Sequence, residues 1–258
     1  MIATAIEVPV LREGGKRLAS ILEEVARATV PGTTTEKLNA LAEKLILKGG
    51  DVPSLIGYTP HGAARPYPAT LCVSINDEVV HGIPNEQPRT IQGGDIVGLD
   101  CVLTHKGIFV DSALSVIAGK GEPVWDEAAR SLLDATKEAL AGGIAVARAG
   151  NHVGDISAAI EKIGVERGYG IVYELGGHGV GGAVHEEPYI PNVGDAGTGE
   201  ELLPGMVLAI EPMFTEGSPK VRLMKDGYTF VTIDGSRAAH FEHTILITSG
   251  AAEILTAI

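Results

Sequence analysis

The sequence reads Ile96-Val97-Gly98-Leu99-Asp100 and then Ile108-Phe109-Val110-Asp111, two neighbouring apolar runs that each close on a carboxylate. Short apolar runs of this kind predict β-strands, and a carboxylate inside one must be paired, protonated or bound to a cation. The setting recurs further on: Glu211 follows Met206-Val207-Leu208-Ala209-Ile210, and Glu242 precedes His243-Thr244-Ile245-Leu246-Ile247. Together with His178 they give a set of four carboxylates and one imidazole: Asp100, Asp111, His178, Glu211 and Glu242. Four carboxylates brought together repel, and a pair of divalent cations is the simplest remedy; the chemistry that follows is two-metal hydrolysis. A single Asp in a strand is more often an edge residue or a salt-bridge partner, so the weight lies on the constellation.

The words around these residues resemble the single-domain (type I) methionine aminopeptidases of the M24 metallopeptidases. Asn76-Asp77-Glu78-Val79-Val80-His81-Gly82-Ile83-Pro84 is similar to that family's histidine segment before the first metal strand, and Gly93-Gly94-Asp95 leads into Asp100 as it does there. Asp111-Ser112, Gly177-His178-Gly179-Val180-Gly181, His185-Glu186-Glu187-Pro188, Ile210-Glu211-Pro212-Met213 and Phe241-Glu242-His243-Thr244 match the remaining segments in order, over roughly residues 5–250. The resemblance implies an α+β pita-bread fold: two pseudo-symmetric halves of antiparallel strands, helices on one side, and the site between the halves.

The residues carry a trace of such halves. Around Gly32 the chain reads Gly32-Thr33-Thr34-Thr35-Glu36-Lys37-Leu38, with Glu43, Lys44 and Gly50 following; around Gly150 it reads Gly150-Asn151-His152-Val153-Gly154-Asp155-Ile156, with Glu161, Lys162 and Gly168 at the same spacing. One domain over 1–258 is expected, with halves at about 5–120 and 121–250. Each half opens with two helices. Leu11, Leu18, Ile21, Leu22 and Val25 share one helical face. Thr33 and Glu36 have capping-box spacing before the Leu38, Leu41, Leu45 stripe, and Gly49-Gly50 stops that helix. The second pair is expected at 123–148 and 153–167. Strands are expected at 70–75, 95–103 and 108–117, then at 171–175, 206–211, 220–232 and 239–248, with a loop from Gly194 to Gly205.

Composition narrows the function classes. A chain of 258 residues with 45% hydrophobic residues can bury a substantial core. A net charge of −13 argues against direct binding to nucleic acid or to an anionic membrane. No apolar run approaches the roughly 20 residues that span a bilayer, and Met1-Ile2-Ala3-Thr4-Ala5 lacks the basic start of a signal peptide. Two cysteines, Cys72 and Cys101, make no disulfide framework. A reducing cytoplasm is the expected location.

Carboxylate and imidazole ligands without sulfur suit hard or borderline divalent ions and argue against a structural zinc site. By resemblance, two such ions are implied, with cobalt, manganese or iron(II) all tolerated. Asp100 then chelates one metal, Asp111 and Glu242 bridge both, and His178 and Glu211 complete the other. Glu211 is also the candidate proton shuttle. His185 is implied as donor to the scissile carbonyl or its oxyanion, and His81 as a contact to the scissile nitrogen or the departing end. Tyr67 and Cys72 keep positions that line the pocket for the first residue. Val184 stands where the family usually has an aromatic residue, Tyr228 where it often has Trp, and Val102 where Thr is common. The loop Gly57–Tyr67 is longer than the usual Tyr-His-Gly version. His61, His105, His152, His240 and His243 take the surface or structural reading. The glycines flanking His178 let the backbone turn and approach closely; without a P-loop lysine they are not a phosphate loop.

The implied activity is removal of the initiator methionine from newly made chains whose second residue is small. The implied enzyme is a monomer whose partner is the N-terminal peptide. Transient proximity to the ribosome fits that substrate, although no basic patch supports stable RNA contact. Two other classes compete. A proline-directed aminopeptidase or dipeptidase shares the ligands and paired histidines, but usually carries an extra N-terminal domain, whereas here the catalytic pattern starts almost at Met1. A non-catalytic binding protein of the same fold is expected to lose ligands, and all five are present.

Overall fold

A computed structural model describes residues 1–119 and 126–257. Helix α1 (Glu7–Ala28) buries Leu11, Leu18, Ile21, Leu22 and Val25 along one face, as the periodicity requires. Helix α2 (Thr35–Lys48) buries Leu38, Ala42 and Ile46. Its cap is Thr34 rather than Thr33: Thr34 has extended backbone angles and accepts the Lys37 N–H at 3.4 Å, while Thr33 Oγ1 donates instead to the Ala28 carbonyl. Helices α3 (Glu127–Val146) and α4 (Val153–Arg167) form the second pair. The first three residues of the helical stretch expected at 123–148 lie outside the described residues. Thr34 and His152 cap equivalent helices, and Gly50 and Gly168 end them at φ 78° and 76°, so the sequence repeat recurs as repeated caps.

Among the described residues the main sheet has nine strands, all antiparallel. Its order runs Val52–Pro53, Ile96–His105, Ile108–Ile117, Glu242–Leu246, Val207–Ile210, Gly176–Gly179, Glu186–Pro191. Leu71–Ile75 also pairs with Ile96–His105, and Glu253–Ile254 with Glu242–Leu246. Two small sheets flank it, one of Ala238–His240, Met213–Thr215 and Gly170–Ile171, the other of Val221–Leu223, Phe230–Thr232 and Glu78–Val80.

Three expected strands are shorter or divided. The run 220–232 turns back on itself at Lys225-Asp226-Gly227, where Asp226 Oδ1 accepts the N–H groups of Tyr228 and Thr229 and Gly227 takes φ 86°. The run 239–248 is divided at Phe241, whose N–H leaves the ladder for the Pro212 carbonyl, so its two parts join different sheets. Of 171–175 only Ile171 pairs, beside Gly170.

Helices cover one face of the large sheet. Leu99, Cys101 and Leu103 join a cluster with α1 and α2, while Leu208, Ile210 and Ile245 join one with α3 and α4. Strand alternation turns the residues between them to the other face, and that face carries the site.

Candidate metal centre and substrate cavity

Register brings the candidate ligands together. Asp100 lies opposite Ala113, and Asp111 opposite Val102, across the Ile96–His105/Ile108–Ile117 hairpin. Because directly opposed residues and positions two apart share a face, both aspartates project to the same side. Glu242 also opposes Ala113, from the next strand. Thr244 opposes Ala209 on the following strand, and His178 opposes Ala209 from its other edge. Cys72 opposes Asp100 from the Leu71–Ile75 strand. Glu211 comes one residue after Val207–Ile210 and reaches the group from the side.

Glycine makes the His178 strand possible. A Cβ on Gly177 would sit 2.2 Å from the Ala209 carbonyl oxygen, and one on Gly179 2.2 Å from that of Glu187. Only hydrogen fits where these backbones meet, and the tight pairing aims the imidazole at the carboxylates.

His178 Nε2 is 3.8 Å from Asp111 Oδ2 and 3.5 Å from Glu211 Oε1. Its Nδ1 is 2.9 Å from the Gly179 carbonyl oxygen, an acceptor only, so Nδ1 carries the proton and Nε2 offers a lone pair. One lone pair thus faces two carboxylates. Burial pushes the His178 pKa down to about 3, which leaves that lone pair available to a cation. Asp111, His178 and Glu242 each place a ligand atom within 4.8 Å of the others. Asp111 Oδ1 and Glu242 Oε1 are buried with no hydrogen-bond partner, and buried carboxylate oxygens without a donor fit the coordination of a cation. Burial is the main cause that raises every carboxylate here: Asp100 to about 6, Glu211 upward, and Asp111 and Glu242 well above the usual range, the last two further by neighbouring negative charge. The donor set is oxygen-rich with one imidazole and fits hard or borderline divalent ions.

The five residues border a cavity of about 100 Å³ that is also lined by Tyr58, Tyr67, Cys72, His81, His185 and Tyr228. Of this lining, Tyr67, Cys72 and Tyr228 pack with Val102 and Val184 in one apolar cluster, and neither valine is among the residues that line the cavity itself. The Tyr67 and Tyr228 rings meet edge-on at 5.1 Å. Tyr67 donates to the Gly82 carbonyl at 2.9 Å, and Tyr228 donates to the Arg65 carbonyl, so both hydroxyls are occupied and the rings present carbon to the pocket. The ring of His185 stands 4.3 Å from that of His178, at 82°. His81 adopts φ 60°, a left-handed conformation uncommon outside glycine. It borders both this cavity and an outer groove of about 530 Å³.

Two site residues escaped the sequence reading. Tyr58, in the long loop, places its hydroxyl 2.7 Å from His185 Nδ1. His240, one of the histidines with a surface or structural reading, is buried with Nε2 3.4 Å from Glu211 Oε2. The signal available for His240 was its place two residues before Glu242, but the strand break at Phe241 that turns both towards the site leaves no mark in the pattern. His105 keeps its structural reading, buried against Asp51 at 2.7 Å and far along the hairpin.

The profile of metallopeptidase family M24 matches residues 10–249. The chain is 44% identical over 252 residues to a methionine aminopeptidase of Aquifex aeolicus, covering 97% of this chain and 96% of that protein. It is 40% identical to methionine aminopeptidase 1 of Mycobacterium tuberculosis over 98% of this chain and 93% of that one. Among solved structures, a methionine aminopeptidase from Thermotoga maritima superposes with a TM-score of 0.93 at 40% identity, covering 100% of this chain and 99% of that one. A prolidase from Pyrococcus furiosus gives a TM-score of 0.75 at 21% identity, over 100% of this chain and 65% of that one; that likeness concerns the fold alone.

Proposed function

Since the chain belongs to metallopeptidase family M24, we propose that it is a metal-dependent methionine aminopeptidase that removes the N-terminal methionine from new chains with a small second residue. The observation that carries this is the one cavity in which Asp100, Asp111, His178, Glu211 and Glu242 meet Tyr67, Cys72 and Tyr228, three residues that pack against Val184.

In this reading Asp100 would hold one divalent cation, His178 and Glu211 would hold a second, and Asp111 and Glu242 would serve both. When bound, the cations acidify water and polarise a carbonyl, which permits peptide hydrolysis at neutral pH. Glu211 carries a proton from the attacking water towards the departing amine. His185, on the cavity wall, donates to the carbonyl oxygen as it gains charge. His81, fixed by its left-handed turn, contacts the nitrogen that departs. The first side chain lies among Tyr67, Cys72, Val184 and Tyr228, a carbon-lined pocket that suits a thioether. The rest of the peptide leaves through the outer groove past His81 and His185. Residues 1–258 act as one domain with halves at about 5–120 and 121–250, as a cytoplasmic monomer in transient proximity to the ribosome. Among the described residues no helix is long and apolar enough to cross a membrane.

The test is hydrolysis of Met-Ala-Ser, Leu-Ala-Ser and Ala-Pro peptides by metal-free protein supplied with cobalt, manganese or iron(II). Met-Ala-Ser is cut fastest. With Val184 in place of an aromatic residue, leucine is rejected less sharply than in relatives with the larger side chain, because one methylene or shape change in such a pocket is worth only about 1–3 kcal/mol; Val184→Phe sharpens the choice. A clear preference for Ala-Pro overturns the methionine assignment and moves the chain to the proline-directed branch.

A further inference from the structure

Two imidazoles flank Glu211, and only His178 has a role in the ligand set. His178 Nε2 faces one oxygen, Oε1, at 3.5 Å; His240 Nε2 faces the other, Oε2, at 3.4 Å. His240 is 3% exposed, and its Nε2 makes no regular hydrogen bond, with Glu211 Oε2 the carboxylate oxygen that it faces. A buried polar atom left unpaired is costly, and native proteins seldom keep one without a use.

The ring is also held in place. Ser115 Oγ donates to the His240 carbonyl at 2.9 Å and accepts its N–H at 3.1 Å. On its other side His240 pairs with Met213, two residues beyond Glu211. The backbone that carries the ring is thus tied both to the strand that bears Asp111 and to the turn that bears Glu211. His178 cannot serve Glu211 as a donor, because its proton is on Nδ1 and engaged with Gly179. His240 is therefore the imidazole placed to hold this carboxylate.

We propose, resting on the ligand set assigned above, that His240 is a positioning residue. Its Nε2–H donates to Glu211 Oε2 in the metal-loaded protein. That bond turns Oε1 towards the lone pair of His178, so that the two ligands converge on one cation. An unpinned Glu211 offers either oxygen, and groups that orient a ligand in this way typically contribute about 10–100-fold in metal affinity or activity.

The experiment compares wild type, His240→Gln and His240→Leu by calorimetric titration of manganese into the metal-free proteins, together with kcat and KM on Met-Ala-Ser. His240→Leu removes the donor: manganese affinity falls by about 10–100-fold, and kcat falls with little change in KM. His240→Gln keeps an N–H donor of similar reach and recovers most of the affinity. In a Glu211→Gln background, His240→Leu adds no further loss, and that cycle carries the test even if the leucine variant folds poorly alone. A residue that merely filled space would lower the melting temperature of all metal-free forms and leave this pattern absent. Equal manganese affinity in wild type and His240→Leu overturns the positioning role and leaves the ligand set standing. A glutamine variant as weak as the leucine variant overturns it too, since the ring rather than its donor would then be required. Failure of wild type to take up manganese overturns the ligand set and this role together.

Discussion

Gly177→Ala is a small change with a large expected effect. The added Cβ would lie 2.2 Å from the Ala209 carbonyl oxygen, whereas real Cβ atoms essentially never come within 3.0 Å of another heavy atom there. The neighbour is backbone, so no side chain can swing aside, and the two strands must part by about 0.8 Å, the difference between those distances. His178 is the next residue and pairs directly with Ala209, so the displacement falls on the ligand. Forcing a methyl into a packed site costs about 1–3 kcal/mol, and weakening one ladder hydrogen bond adds about 1 kcal/mol. A misplacement approaching 1 Å at a reacting centre can cost about 100-fold in rate. The expected result is a lower melting temperature, weaker manganese binding by calorimetry and a kcat/KM on Met-Ala-Ser reduced by about 10–100-fold. Gly93→Ala is the control: its nearest neighbour is a proline side-chain carbon at 3.8 Å, and it should change none of the three. If Gly177→Ala keeps wild-type manganese affinity and melting temperature, the close strand approach is not what aims His178, and the reasoning fails.

Other expectations concern the carboxylates and His185. Asp111→Asn should abolish hydrolysis and weaken metal binding while the fold persists, because in the proposed set it removes a charge shared by both cations; a fully active variant would refute the bridging role. His185→Ala should lower kcat by about 10²–10³ if it is a single oxyanion donor, with metal content by elemental analysis unchanged; metal lost in parallel would make His185 a ligand instead. In the metal-free protein Asp111 and Glu242 have pKa values raised well above the usual range by burial and by neighbouring negative charge. Folded pKa values above the unfolded ones give stability that is present at low pH and lost as pH rises through them. The metal-free protein should therefore weaken as pH rises through those raised values, by up to about 1.4 kcal/mol per pH unit for each group still protonated, and added manganese should remove the slope. Urea unfolding with and without chelator measures this, and a flat profile in chelator would contradict it.

How much of this was legible in the sequence depends on the kind of signal. Asp100, Asp111, Glu211 and Glu242 stand out because an acid beside four or five apolar residues violates the pattern of a buried strand, and a violation can be read from one chain. The helices are legible because burial imposes a period on α1 and on α2. The capping residue was misplaced by one position, since Thr33, Thr34 and Thr35 offer the same hydroxyl and only the backbone angles choose among them. The divided strand at Phe241 was not legible: both its parts are apolar, and the split arises from a tertiary hydrogen bond to Pro212. His240 was hidden for the same reason, because only the fold brings it to face Glu211. Tyr58 was hidden by loop geometry, which hydrophobic periodicity does not encode.

The pairing of Ile108–Ile117 with Glu242–Leu246 joins segments that synthesis separates widely; Ser112 and the Glu242 carbonyl that it bonds are 130 residues apart in the chain. The candidate ligands therefore arrive in instalments. Asp100 and Asp111 emerge early on one hairpin and, by themselves, are two negative charges that push each other apart. Glu242, needed by both cations in the proposed set, comes close to the end of the described chain. Domains fold from the N-terminus as the chain is made, yet this site cannot close until that late strand inserts between two earlier ones. Each copy is thus expected to be inert during its own synthesis, and its first methionine could be handled only by a copy already finished. Ion capture would then mark completed folding, so that an incorporated metal serves as a reporter of chains that have reached their final topology.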